Sequence, residues 1–144
     1  MDILIKKLSE NAITPKKATA GSAGFDLCAC IDEPVVIKPR KSVPIPTGIA
    51  VSVPEGHAAF IFARSGLAFK HGVTPVNCVG VIDSDYRGEV IAGLFNHFDA
   101  DFTVNPGERI AQMCVMPVPD CEIVEADSLG DTVRGEGGFG STGV

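Results

Sequence analysis

An all-β sandwich or barrel is the fold this sequence predicts, and three observations predict it. Proline and glycine punctuate the chain at short intervals, at Pro15, Gly21, Pro34, Pro39, Pro44, Pro46, Pro54 and Gly56. Short apolar or alternating runs fill the gaps, among them Val35-Val36-Ile37, Ile49 to Val53 and Ala58 to Phe62. Many short strands separated by turn residues produce that rhythm. Only one stretch reads as a helix. At 144 residues the chain fits one domain with a single core.

Taken in order, Ile3 and Ile5 place a strand at the start. Ser65 is expected to cap the helix, Leu67, Ala68 and Phe69 to continue it, and Gly72 to end it. Arg64 and Ser65 would then stand at the helix end where unpaired amides favour an anion. Further on, Val76, Val79, Val81 and Ile82 lead into Asp83-Ser84-Asp85-Tyr86-Arg87-Gly88, and Val90, Ile91, Leu94 and Phe95 lead out. That pattern predicts a β-hairpin whose tip carries two carboxylates, a phenol and a guanidinium. Asn105-Pro106-Gly107 reads as a turn, and Arg109 to Val118 as a core strand interrupted by Gln112. Asp127 to Thr132 is polar, and the glycines after it suit neither strand nor helix.

Charge and composition narrow the partners. A net charge of −6 with no basic run disfavours a nucleic-acid polymer. It leaves room for one free nucleotide, whose charge a few arginines and a divalent metal can meet. No apolar run reaches the ~20 residues of a membrane span, and Met1 to Glu10 lacks a signal-peptide core. The expected location is the cytoplasm. Five cysteines, an odd number, point to free buried thiols, and without a C-x-x-C pair they do not suggest structural zinc.

Two features are set aside. Gly135 to Gly140 matches G-x-G-x-x-G, but the dinucleotide motif requires a helix after it, and the sequence stops at Val144. His57, His71 and His97 lie far apart near predicted turns, with no triad or metal spacing, and read as structural or surface residues.

The sharpest chemistry sits at the tip. Asp83, directly after Val81-Ile82, is expected to be partly desolvated and suits a general base acting on water. Tyr86 offers a flat face to a sugar or base. The stretch Gly80 to Val90, Gly-Val-Ile-Asp-Ser-Asp-Tyr-Arg-Gly-Glu-Val, resembles the third motif of the homotrimeric dUTPases. Ala23 to Leu27 resembles their first motif, Ala63 to Ala68 the second, Gly107 to Gln112 the fourth, and Arg134 to Gly143 the fifth. All five stand in family order across nearly the whole chain.

The resemblance implies a distorted jelly roll, a β-clip sandwich with one short helix, over residues 1–128. Residues 129–144 would be a flexible arm closing over the site. It implies hydrolysis of dUTP to dUMP and pyrophosphate by water attacking the α-phosphorus, with Asp83 as the base. Magnesium would be held mainly by phosphates and waters, one of them donating to Asp26. Arg64, Ser65, Gly66 and Gln112 would contact the phosphates. Asn77, Gly80, Val81 and Ile82 would read the uracil edge, and Tyr86 would pack beneath the deoxyribose. Arg134, Gly140, Ser141 and Thr142 would close over the far phosphates, and Phe139 would stack on the uracil. Three subunits would share each site, with dUTP as substrate and no membrane involved.

Departures are mild. Ala63 stands where many members have Pro, and Phe25 where Tyr or Leu is common. The related dCTP deaminases carry Arg-Ser-Ser in the second motif and a catalytic Glu on the strand after the tip. Here Arg64-Ser65-Gly66 and Ile91-Ala92-Gly93-Leu94-Phe95 carry neither. A non-catalytic nucleotide-binding regulatory protein on the same scaffold is the rival from another class.

Overall fold

The computed structural model describes residues 1–138. Its elements are the strands β1 (Leu4–Lys7), β2 (Phe25–Cys28), β3 (Val35–Ile37), β4 (Ser42–Ser52) and β5 (His57–Phe62), the helix α1 (Ser65–His71), and then β6 (Val73–Pro75), β7 (Gly80–Ile82), β8 (Glu89–Asn96), β9 (Phe102–Val104) and β10 (Arg109–Pro117). Two four-stranded sheets run β1-β4-β8-β6 and β2-β10-β5-β7, and β3 pairs with β9 in a small third. Every strand pair is antiparallel. This is the expected jelly-roll sandwich with one short helix.

Period-two patterning makes the layers. Along β8, Val90, Ala92, Leu94 and Asn96 are buried while Glu89, Ile91, Gly93 and Phe95 are not, as a strand with one core face requires. Val90, Ala92 and Leu94 meet Ile45, Ile49 and Val51 of β4, and Leu27, Ala59, Ile61, Ile82, Ala111 and Met113 from the other sheet, in one apolar cluster. Burying a side chain of that size contributes roughly 1.5–3 kcal/mol each. Asn96, fully buried, is the polar exception along β8. Its amide donates to Ile37 O at 3.0 Å and Ala100 O at 2.8 Å, and its oxygen accepts from Phe98 N at 3.0 Å.

Strand β4 is interrupted by a bulge. Its register against β8 shifts between Pro46 and Ala50, and Gly48 takes φ +66°. A side chain there would run into Cys30 and Ala12, so the bulge needs glycine for both conformation and space.

Three expectations require correction. Ser65 does not cap α1: Arg64 occupies the cap position, with no side-chain cap bond, and Ser65 is the first helical residue. Gly72 ends the helix as expected, in the left-handed conformation, its amide bonded to Ala68 and Leu67. The cysteines are free, but none is fully buried, and Cys78 and Cys121 are exposed. The arms of the predicted hairpin do not pair with each other. β7 bonds β5 in one sheet, while β8 lies between β4 and β6 in the other. The tip is therefore a loop bridging the two sheets.

Candidate active site

Two neighbouring strands build the first half of the site. Asp26 on β2 stands opposite Gln112 on β10, which stands opposite Phe62 at the end of β5. The chain leaves β5 there, so Arg64, Ser65 and Gly66 at the start of α1 fall beside Asp26 and Gln112. Arg64 Nε donates to Asp26 Oδ1 at 2.9 Å, and Arg109 Nη1 donates to Asp26 Oδ2 at 3.0 Å. Gln112 Nε2 donates to Ala63 O at 2.9 Å, tying the second motif to the fourth. Gly24 lets Gln112 approach, since a Cβ at Gly24 would lie 2.8 Å from Gln112 Oε1. Ser22, Gly24, Asp26, Arg64, Ser65 and Gln112 line a polar cavity of about 300 Å³, together with Gly66. Arginines, a hydroxyl and an amide around one carboxylate suit a phosphate chain.

The second half lies on the segment from β6 to β8. Asn77, Gly80, Val81, Ile82, Asp83 and Tyr86 line a cavity of about 320 Å³ whose walls are largely apolar, closed on the far side by Ile91 to Gly93. That size and polarity suit a base and sugar. Glycines bring the walls close: a Cβ at Gly80 would lie 3.2 Å from Ile61, and one at Gly93 would lie 3.0 Å from Val76.

The loop between β7 and β8 holds itself. Tyr86 N donates to Asp83 O at 3.2 Å, and Arg87 Nη1 donates to Ser84 O at 2.7 Å and Tyr86 O at 2.8 Å. Arg87 thus secures the loop. Asp83 is exposed, as is Val81, so the desolvation expected from its apolar neighbours is not supplied within one chain.

Sequence-predicted residues therefore fall into two groups, Asp26, Arg64, Ser65, Gly66 and Gln112 in one cavity and Asn77, Gly80 to Asp83 and Tyr86 in the other. The two cavities share no lining residue. Arg134 is exposed and lines neither. Phe139, Gly140, Ser141 and Thr142 lie outside the described residues. Arg109 is the residue that sequence reasoning left without a role, because its partner Asp26 lies 83 positions away. Beside them, burial pushes the Cys28 thiol up, the Asp26 carboxylate adds to this, and Arg109 and Arg64 partly offset it. The histidines stand apart from both cavities: His97 Nε2 bonds Thr74 Oγ1 at 2.8 Å, and His57 Nδ1 bonds Glu55 O at 3.2 Å.

A jelly roll with a polar cavity holding an arginine–carboxylate pair beside a strand edge and an apolar one under a bridging loop defines a nucleotide-binding protein of the sandwich class. The comparisons with known proteins narrow this. The family model described as dUTPase matches residues 10–143. A deoxyuridine 5'-triphosphate nucleotidohydrolase of Hydrogenobaculum is 51% identical over 144 residues, covering 100% of this chain and 99% of its own. One of Oryza sativa is 49% identical over 140 residues, covering 97% and 80%. Among solved structures, the dUTPase of Staphylococcus bacteriophage 80alpha with dUpNHpp superposes with a TM-score of 0.91 at 29% identity, covering 99% of each chain. A variant dUTPase from phage phi11 of S. aureus, described as coordinating a structural Mg(II) ion, gives 0.80 at 25%, covering 90% and 99%. The chain belongs to the dUTPase family.

Proposed function

We infer that this protein hydrolyses dUTP to dUMP and pyrophosphate, a dUTP diphosphatase that limits uracil entry into DNA and supplies dUMP. Family membership over almost the full chain, with the first, second and fourth motifs converging on one cavity, is the observation that carries it.

The reaction forms a bond from a water oxygen to the α-phosphorus and breaks the bond to the bridging oxygen, releasing pyrophosphate. Asp83 takes the water's proton, a role its exposed carboxylate on a self-braced loop supports. Arg64, Ser65, Gly66 and Gln112 hold the phosphates and stabilise charge as it shifts to the leaving group. Asn77 and the backbone of Gly80, Val81 and Ile82 read the uracil edge, and Tyr86 lies beneath the deoxyribose. Residues 1–128 act as the catalytic domain. Residues 129–144 act as an arm over the bound triphosphate, with Arg134, Gly140, Ser141 and Thr142 at the far phosphates and Phe139 on the uracil.

The donor set fits Mg²⁺. The polar cavity carries one carboxylate among neutral polar groups and an arginine, a lining that suits a hard cation that keeps its waters and arrives with phosphates. Asp26, facing the polar cavity, is the carboxylate that would accept from such a water. Bound there, the ion supplies charge neutralisation along the triphosphate.

The family resemblance implies a homotrimer with shared sites, and two features support sharing between copies. Asp26 and Ile82 lie on opposite edges of one sheet and three residues out of register, a separation of roughly 17 Å from strand spacing and rise. Asp83 and the Asp26–Arg64 pair of one chain therefore cannot serve one phosphorus atom. The outer face of that sheet also leaves Phe60, Phe62 and Cys114 only half-buried and Val81 exposed, an apolar surface that another copy would cover. Among the described residues no helix is long and apolar enough to cross a membrane. A cytoplasmic location is part of the proposal.

Glu89 also bears on the deaminase reading: its carboxylate is engaged by the Gly48 amide, and the rest of β8 carries no glutamate. The test is a product assay on dUTP, dCTP, dTTP and UTP with magnesium. Pyrophosphate from dUTP alone is expected; deaminated triphosphate from dCTP, or no turnover, would overturn the reading.

A further inference from the structure

We propose that Glu89 is a positioning residue for sugar selection, clamping the strand end that seats the Tyr86 phenol. The inference rests on the reading that Tyr86 lies beneath the deoxyribose. Glu89 is the first residue of β8, where the bridging loop re-enters the sheet. Its Oε1 accepts from Gly48 N at 2.7 Å, and its own carbonyl accepts from Tyr86 Oη at 3.0 Å. One residue therefore joins the β4 bulge to the phenol.

Both ends of this link are fixed by sterics. Gly48 is held at φ +66° with no room for a side chain, and its carbonyl accepts from Leu8 N at 2.7 Å. Its amide therefore points from a rigid support. At the other end a Cβ on Gly88 would overlap the Tyr86 phenol, so the ring lies directly on the loop backbone. Removing the Glu89 carboxylate frees the strand end and leaves the Gly48 amide without its partner. The Tyr86 oxygen then loses a fixed acceptor, and the wall against a 2′-hydroxyl loosens.

A purely structural role predicts lost stability alone. A positioning role predicts a change in the phenol and in sugar choice. Tyr86 is the single tyrosine of a chain without tryptophan, so its fluorescence reports this ring. Glu89→Ala is expected to increase acrylamide quenching of that emission and to lower the preference for dUTP over UTP about tenfold, through a higher kcat/KM for UTP. Glu89→Gln keeps an acceptor oxygen and is expected to retain both properties. Thr47→Val removes the adjacent buried bond from Thr47 Oγ1 to Val90 O and is expected to lower thermal stability while leaving quenching and preference unchanged. Unchanged quenching in Glu89→Ala overturns the clamp, as does an equal change in Thr47→Val. If the unmodified protein treats dUTP and UTP alike, sugar selection falls with the functional reading, while quenching still decides the clamp.

Discussion

Both carboxylate oxygens of Asp26 accept from arginines, Arg64 on one side and Arg109 on the other. Arg64 uses its Nε for this and donates from Nη1 to Arg109 O at 3.4 Å, which leaves Nη2 for an anion. Lysine cannot do both, because it is a point charge without the fork. Arg64→Lys is therefore expected to lower kcat/KM for dUTP by about a hundredfold, measured by pyrophosphate release. For Asp83→Asn the expected loss is about 10²–10⁴-fold in kcat, the range for one general base, with urea unfolding unchanged because Asp83 is exposed. Cys28 carries the pH prediction. Its folded thiol holds a proton above the ordinary value of 9.0, so the folded state binds more protons there than the unfolded chain. The contribution is fully present below pH 9.0 and is lost as pH rises through the folded value. Urea midpoints measured across that range should fall less steeply for Cys28→Ala. Sequence motifs named Asp26, Arg64 and Gln112, but composition and spacing offered no signal for Arg109, whose task depends on strand pairing.

At the scale of elements, what was legible is what local chemistry determines. Short apolar or alternating runs located β1, β3, β5, β10 and the end of β4 but did not mark β2, β6 or β9, and Gly72 ended the helix because only a left-handed residue closes it there. Loop residues Asp83 to Gly88 announced a chain reversal but not its sheets. β7 has three residues, and its partner β5 lies before α1 and β6 in the chain, so no neighbouring pattern marks the pairing. Asn96 was equally hidden: in sequence it reads as a polar strand end, whereas in the fold it satisfies three backbone groups across the β3, β8 and β9 corner. Asn96→Leu would leave those groups without their partner, Ile37 O in a buried position, and is expected to cost about 3 kcal/mol. In urea this should appear as a lower midpoint with an unchanged slope. Gly72→Ala should also destabilise, since its Cβ would overlap the Phe98 ring.

For the whole molecule, the two half-sites are the central fact. One chain holds Asp26, Arg64 and Gln112 on the β2 side of its second sheet and the Asp83 loop beyond β7 on the other. In a trimer the loop of one subunit would meet the phosphate cavity of the next, and the question can be put to subunit mixing. On the proposed assembly, Arg64→Ala and Asp83→Asn would each disable every site in their own homotrimers. Refolded together in equal amounts, they would form trimers in which some sites take the Arg64 half from the Asp83→Asn chain and the Asp83 half from the Arg64→Ala chain. Random assembly of a closed ring gives such sites at about one in four. Activity is therefore expected to return to about a quarter of the unmodified level, far above either variant alone. Sites contained within single chains would give no recovery, and sedimentation of the same mixture would then report whether trimers had formed. Recovery to a quarter would tie the apolar outer face, the separated half-sites and the catalytic assignment to one assembly.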